Sequence, residues 1–178
     1  QVPMYHKPLC ITDAALNIAP NLADKVDIVK NAIEFAQIMG VSEPKVAILA
    51  AVESVNPHMP STLEAAALCK MADRKQITGA ILDGPLAFDN AISTQAAELK
   101  HIESRVAGHA DILVAPDLEA GNMMIKQAET FSEAYGAGIV MGARVPIALT
   151  SRADTAMARV ASALLAKLIV HHNRQKTS

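Results

Sequence analysis

Four times along this chain a short apolar run breaks into a polar turn and then into a stretch with helical spacing. Lys45–Ala51 (KVAILAA) and Ala110–Ala115 (ADILVA) are the plainest of these runs, with Pro8–Ala15 (PLCITDAA) and Gly79–Leu82 (GAIL) beside them. Continuous apolar runs of this length, bounded by Gly, Pro and Asp, read as buried strands. Strands that alternate with helices pair in parallel through crossover connections, so the expected fold is α/β, a three-layer sandwich around a mostly parallel sheet, with a C-terminal helix added.

The helical stretches carry their own signals. From Leu22 to Met39 the residues Val26, Val29, Ile33, Ala36 and Ile38 share one face, and Gly40 follows as a stop. Ser61 and Glu64 have capping-box spacing at a second helix start, after a loop at Val52–Pro60 that holds Asn56, Pro57, His58 and Pro60. Phe88–Arg105 reads as a broken helix and Leu118–Ala134 as a continuous one. Gly136–Met141 and Val145–Leu149 read as a fifth and a sixth strand. In the last helix, from about Ala153 to His172, Lys167 is the only formal charge between Val160 and Val170. A helix apolar on nearly every side needs cover beyond one sheet face, which a partner subunit or another part of the same protein would supply.

Composition narrows the classes. With 178 residues, 51% of them hydrophobic and 19% charged, the chain suits a globular domain with a sizeable core; aromatics are only 3%, so aliphatic residues and Met must fill it. A net charge of -2 supplies no basic field for nucleic acid or an anionic membrane. No uncharged window is long enough to span a bilayer, and QVPMYHKP lacks a signal-peptide pattern. Cys10 and Cys69 are far apart without metal spacing and sit among apolar neighbours, as buried free thiols do. A cytoplasmic protein is expected, and the chain opens on Gln1 without an initiator Met, as a segment of a longer product would.

Polar residues gather where the strands end: Asp13 with Asn17, Asp83 with Asp89, Asp117 with Glu119 and Asn122, and Thr150 with Ser151 and Arg152. Parallel strands end on one side, so these groups are expected along the edge where ligands enter an open α/β sheet. Helix capping is the plain alternative for every Asp, Asn and Ser among them. Arg152 is harder to explain that way. Ser151 and Asp154 stand three apart like a capping box, which puts Arg152 in the first turn of the last helix, where the dipole disfavours a cation. An anion resolves the conflict, because free amides and a guanidinium fork both suit phosphate. The six histidines form no metal pattern, and His58, in a strand-end loop, is the one kept as a site candidate. No GxGxxG, Walker lysine motif or nucleophile elbow is present.

Three runs carry a resemblance that composition cannot: DGPLAFDNAIS (Asp83–Ser93), AGHADILVAPDLEAGNMMIKQ (Ala107–Gln127) and GARVPIALTSRADTA (Gly142–Ala156). In order and spacing they resemble the phosphate acetyl/butyryl transferase family over essentially the whole chain, with GPLAFDNA and LTSRAD closer to the butyryltransferase wording. A similar domain also occurs behind an enoyl-CoA hydratase-like domain in bifunctional proteins. The resemblance implies reversible acyl transfer between coenzyme A and phosphate, with acyl-CoA, phosphate and acyl phosphate as substrates, no permanently bound cofactor and no metal in the chemical step. It also implies an isocitrate/isopropylmalate dehydrogenase-like second domain over residues 1–150, a helix over 151–178 that packs with an absent first domain, an active site in the cleft between the two domains, and a homodimer.

Residue by residue, Ser151 and Arg152 match the family's catalytic Ser-Arg pair, Gly121 and Asn122 its cleft loop, and Asp89 its acidic position after GPL. Asp117 and Glu119 complete the expected substrate-binding set, and the PDLEAGN loop would position substrate rather than react. One departure concerns the base for the CoA thiol: where the acetyltransferase branch has an Asp seven residues after the Ser, this chain has Ala158, leaving Asp154 as the substitute. The alternatives are another acyl-CoA or phosphorylated-metabolite enzyme on the same scaffold, and a subunit that binds CoA or a partner without turnover.

Overall fold

The computed structural model describes residues 2–176. Its centre is a four-stranded parallel sheet of β1 (Cys10–Thr12), β2 (Lys45–Leu49), β3 (Ile81–Leu86) and β4 (Ile112–Val114), in the order β1-β4-β2-β3. Each strand residue faces opposite to its neighbour, and both faces are buried. Val46, Ile48, Ile112 and Val114 pack under α1 (Leu22–Ile38) and α2 (Pro60–Asp73). On the other face, Ala47, Leu49, Leu86 and Leu113 meet α3 (Phe88–Ile92), α4 (Thr94–Leu99), the segment 106–110 and Met124 of α5 (Leu118–Phe131). Helices therefore cover both faces, as expected for α/β.

Helix starts follow local chemistry. Asn21 caps α1, its side chain accepting from the Ala23 and Asp24 amides while Asp24 accepts from the Asn21 amide. The capping box expected at Ser61 and Glu64 does not form. Pro60 begins α2 instead, since a residue without an N–H loses nothing in a first turn, and Glu64 turns aside to pair with the buried Lys25 of α1.

The third strand also differs from expectation. Asp83, Gly84 and Pro85 lie inside β3, not in the turn after it. Gly84 permits this, because a Cβ there would stand 2.7 Å from the Ile48 carbonyl oxygen. The β2–β3 register shifts between Ala47 and Leu49, and a proline in an irregular stretch forfeits no regular ladder bond.

The larger correction concerns β5 (Gly138–Val140) and β6 (Ile147–Leu149). They do not extend the parallel sheet; they pair antiparallel with each other, Gly138 opposite Leu149 and Val140 opposite Ile147. The connection 141–146 explains this: a parallel crossover needs about a dozen residues, whereas a hairpin closes over a few. The final helix, α6 (Ala156–Lys176), packs against β5, β6 and α1. Ser162 fixes that docking: its hydroxyl donates to the Ala158 carbonyl and accepts from the Gly138 amide. Ile169 is buried, whereas Met157, Val160 and Leu164 on the other side are 70%, 55% and 59% exposed. No helix among the described residues is long and apolar enough to cross a membrane.

Candidate functional site

The four parallel strands deliver their carboxyl ends to one edge, and two polar groups form there. The first surrounds the turn after β1. Asp13 accepts from the amides of Ala15, Leu16 and Asn17 and from the Asn17 side chain, at 2.6–3.1 Å. Burial pushes the Asp13 carboxyl up, but those four bonds together outweigh it and hold the group below the usual carboxylate range. Asp13 is thereby committed to shaping the turn. Helix α5 closes on the same turn: a Cβ on Gly121 would stand 2.4 Å from the Asp13 carbonyl oxygen, and Asn122 donates from Nδ2 to the Ala14 carbonyl at 3.2 Å. Gly121 therefore admits the helix to the turn and Asn122 latches it. Asp117 caps α5 by accepting from the Ala120 amide at 2.8 Å, while the Glu119 carboxylate is exposed and makes no hydrogen bond or ion pair among the described residues.

The second group lies beyond β2 and β3. Asp89, in the first turn of α3, is bridged by Lys100 at the end of α4, at 3.1 Å to Oδ2 and 3.2 Å to Oδ1. Lys100 also reaches Glu53 in the loop after β2 at 3.3 Å. The Lys100 hydrogen bond outweighs desolvation and holds the Asp89 carboxyl below its ordinary range. Asn90, fully buried, donates from Nδ2 to Glu53 at 3.3 Å, and its Oδ1 has no partner among the described residues. Sequence reading missed Glu53 and Lys100. The position of Glu53 just after a buried strand was the available signal, masked by the prolines that follow. Asp83, read together with Asp89, is instead held in mid-strand with its carboxylate on the Gly84 amide.

Ser151 and Arg152 sit in a turn between β6 and α6. The helix begins at Ala156, and the Thr155 hydroxyl accepts from the Ala158 amide as its cap. Arg152 therefore precedes the helix instead of occupying its first turn. Ser151 and Asp154 still pair as their spacing suggested, around the turn: the Ser151 amide donates to Asp154 Oδ2 at 2.6 Å and the Ala153 amide to the Ser151 hydroxyl at 3.4 Å. Arg152 is exposed; its carbonyl accepts from Arg159 at 3.4 Å, and its guanidinium has no partner among the described residues. None of these contacts reaches Asp89, Asp117 or Asn122. His58 is exposed in the loop before α2, where its amide donates to the Asn56 side chain at 2.9 Å.

Two shallow cavities lie elsewhere, where α6 meets the hairpin and α1. One of about 110 Å³ touches Glu34, Pro146 and Ile169, and one of about 270 Å³ touches Arg144, Val145 and Val170. Among the described residues no group of three or more His, Cys, Asp or Glu is arranged to hold a metal ion. Burial pushes the Cys10 and Cys69 thiols up to about 12, with Asp83 and Asp73 adding to the effect at Cys69, so neither supplies a thiolate near neutral pH.

Comparison with known proteins adds to this geometry. The chain is 58% identical over 173 residues to a phosphate acetyltransferase of Rhizobium meliloti, covering 97% of this chain and 55% of that protein. A phosphate butyryltransferase of Clostridium acetobutylicum is 46% identical, over 93% of this chain and 55% of its own length. A branched-chain phosphotransacylase from Enterococcus faecalis superposes with a TM-score of 0.83 at 40% identity, over 90% of this chain and 58% of that one. This chain spans about half the length of the curated relatives it matches. With the family model described as phosphate acetyl/butaryl transferase matched from residue 3 to residue 167, the chain belongs to that family.

Proposed function

We propose that the full-length protein transfers a short acyl group between coenzyme A and inorganic phosphate, giving acyl phosphate and free CoA. The observation that carries this reading is the family match over nearly the whole chain, ending beyond the Ser151–Arg152 turn. The guanidinium of Arg152, without a partner among the described residues, supports it. A phosphate oxygen attacks the thioester carbonyl, the carbon–sulfur bond breaks as the tetrahedral intermediate collapses, and the thiolate leaves to take up a proton. In the reverse direction the thiolate attacks acyl phosphate and phosphate departs. Arg152 holds the phosphate and offsets charge on the intermediate, and the Ser151 hydroxyl donates to it. Asp154 would serve as base through Oδ1, since its Oδ2 is engaged by the Ser151 amide. Asp89, Asp117, Glu119, Gly121 and Asn122 line the other wall, with Gly121 and Asn122 acting through the backbone they position.

In the same reading, residues 1–150 are the dehydrogenase-like second domain of a two-domain subunit and 151–178 hold the helix that packs with the first, residues 1, 177 and 178 lying outside the described residues. The exposed stripe of Met157, Val160 and Leu164 supports that arrangement. A homodimer in the cytoplasm, with CoA as substrate and no resident cofactor, completes it. The test is release of free thiol from acetyl-CoA and butyryl-CoA by the full-length protein with and without phosphate. Phosphate-dependent release is expected, and its absence with every short acyl-CoA defeats the proposal.

A further inference from the structure

Asp89 and Arg152 carry opposite charge, and that separates the tasks they suit. Around Asp89 the charges are fixed by contacts from three elements: Lys100 from the end of α4, Glu53 from the loop after β2, and Asp89 itself in α3. One ammonium shared between two carboxylates leaves the group net negative. Such a surface repels phosphate and favours neutral hydrogen-bond donors, since an ionised carboxylate only accepts. An acyl-CoA offers donors of that kind in the amides and hydroxyl of its uncharged pantetheine arm, apart from its phosphorylated nucleotide end.

Stability alone does not explain the arrangement. The three charged side chains are 34–54% exposed, and ion pairs so exposed contribute little. Behind them Asn90 is fully buried, aims its Nδ2 at Glu53 and leaves Oδ1 without a partner among the described residues, which costs stability rather than adding it. What the network accomplishes is to fix the direction of one exposed carboxylate. We propose that Lys100, Glu53 and Asn90 are positioning residues that aim Asp89 at hydrogen-bond donors of the CoA moiety, while phosphate is left to Arg152. This rests on the acyl-transfer reading and assigns each wall of that site its own substrate.

The two substrates can be varied independently, so the test is a split in KM measured on the full-length protein. Asp89→Ala and Lys100→Met should each raise KM for acyl-CoA about three- to tenfold with KM for phosphate unchanged, and Lys100→Arg should restore the wild-type value. In the Asp89→Ala background, Lys100→Met should add nothing, because it acts only through Asp89. Unchanged denaturation midpoints for the Lys100 variants will separate this from a structural effect. A rise in KM for phosphate equal to that for acyl-CoA, or unchanged constants for both variants, overturns the inference while leaving acyl transfer intact. A full-length protein with no phosphate-dependent CoA release overturns the underlying reading instead.

Discussion

The parallel sheet and the C-terminal unit of hairpin and helix are built on opposite terms. In the sheet, Val46, Ala47, Ile112 and Leu113 are wholly excluded from solvent, and helices close both faces. In the C-terminal unit, β6 is largely exposed and α6 fully buries only Ser162 and Ile169 along the 156–170 stretch. Both faces of the sheet are covered within this chain, whereas the hairpin and α6 present an apolar face that no other described residue covers. The proposed site would span that divide, with its carboxylates on the covered side and Ser151 and Arg152 on the other.

Four substitutions can break or sharpen the contrast. Leu113→Ala, in the middle of β4, should destabilise by about 2–5 kcal/mol in chemical denaturation, since the site is packed from every direction. Gly121→Val comes next: its Cβ would meet a backbone oxygen at 2.4 Å that cannot step aside, at a cost of about 1–3 kcal/mol in the same measurement. Asp13→Asn should show a signature in pH. The folded carboxyl lies below its unfolded value, so its contribution is present above about pH 4, the ordinary carboxylate range, and is lost as pH falls through the folded value. Denaturation midpoints of wild type and variant should therefore differ at neutral pH and converge in acid. The smallest effect belongs to Leu164→Ala, 59% exposed, which should change the stability of this chain by less than about 0.5 kcal/mol. The same change in the full-length protein should cost clearly more, and equal effects in the two contexts would remove the case that α6 is half of an interface.

Where burial dictates local pattern, the sequence was readable. KVAILAA and ADILVA became β2 and β4, and the capping alternative holds for Asp117 at the start of α5. Strand direction was not readable from the same pattern: GIV and IAL resemble any buried strand, and only the shortness of 141–146 betrayed the hairpin. Competing signals misled at α2, where Pro60 preceded Ser61 and Lys25 claimed Glu64 from a distance no local pattern records. The same limit applies to the candidate site. Asp89 was singled out, but Glu53 reaches Asn90 and Lys100 from the loop after β2, 37 and 47 residues away in sequence. Gly121 and Asn122 were singled out, and the structure supplies a packing reason for each that spacing does not contain.

The most direct test concerns Arg152, in the turn before α6, whose guanidinium has no partner among the described residues. In the full-length protein, kcat/KM for phosphate-dependent CoA release should fall at least about tenfold on Arg152→Ala, the loss of one charge-assisted contact to the reacting phosphate. The denaturation midpoint should stay in place, because the exposed guanidinium makes no hydrogen bond or ion pair among the described residues. Turnover equal to that of wild type would contradict the account.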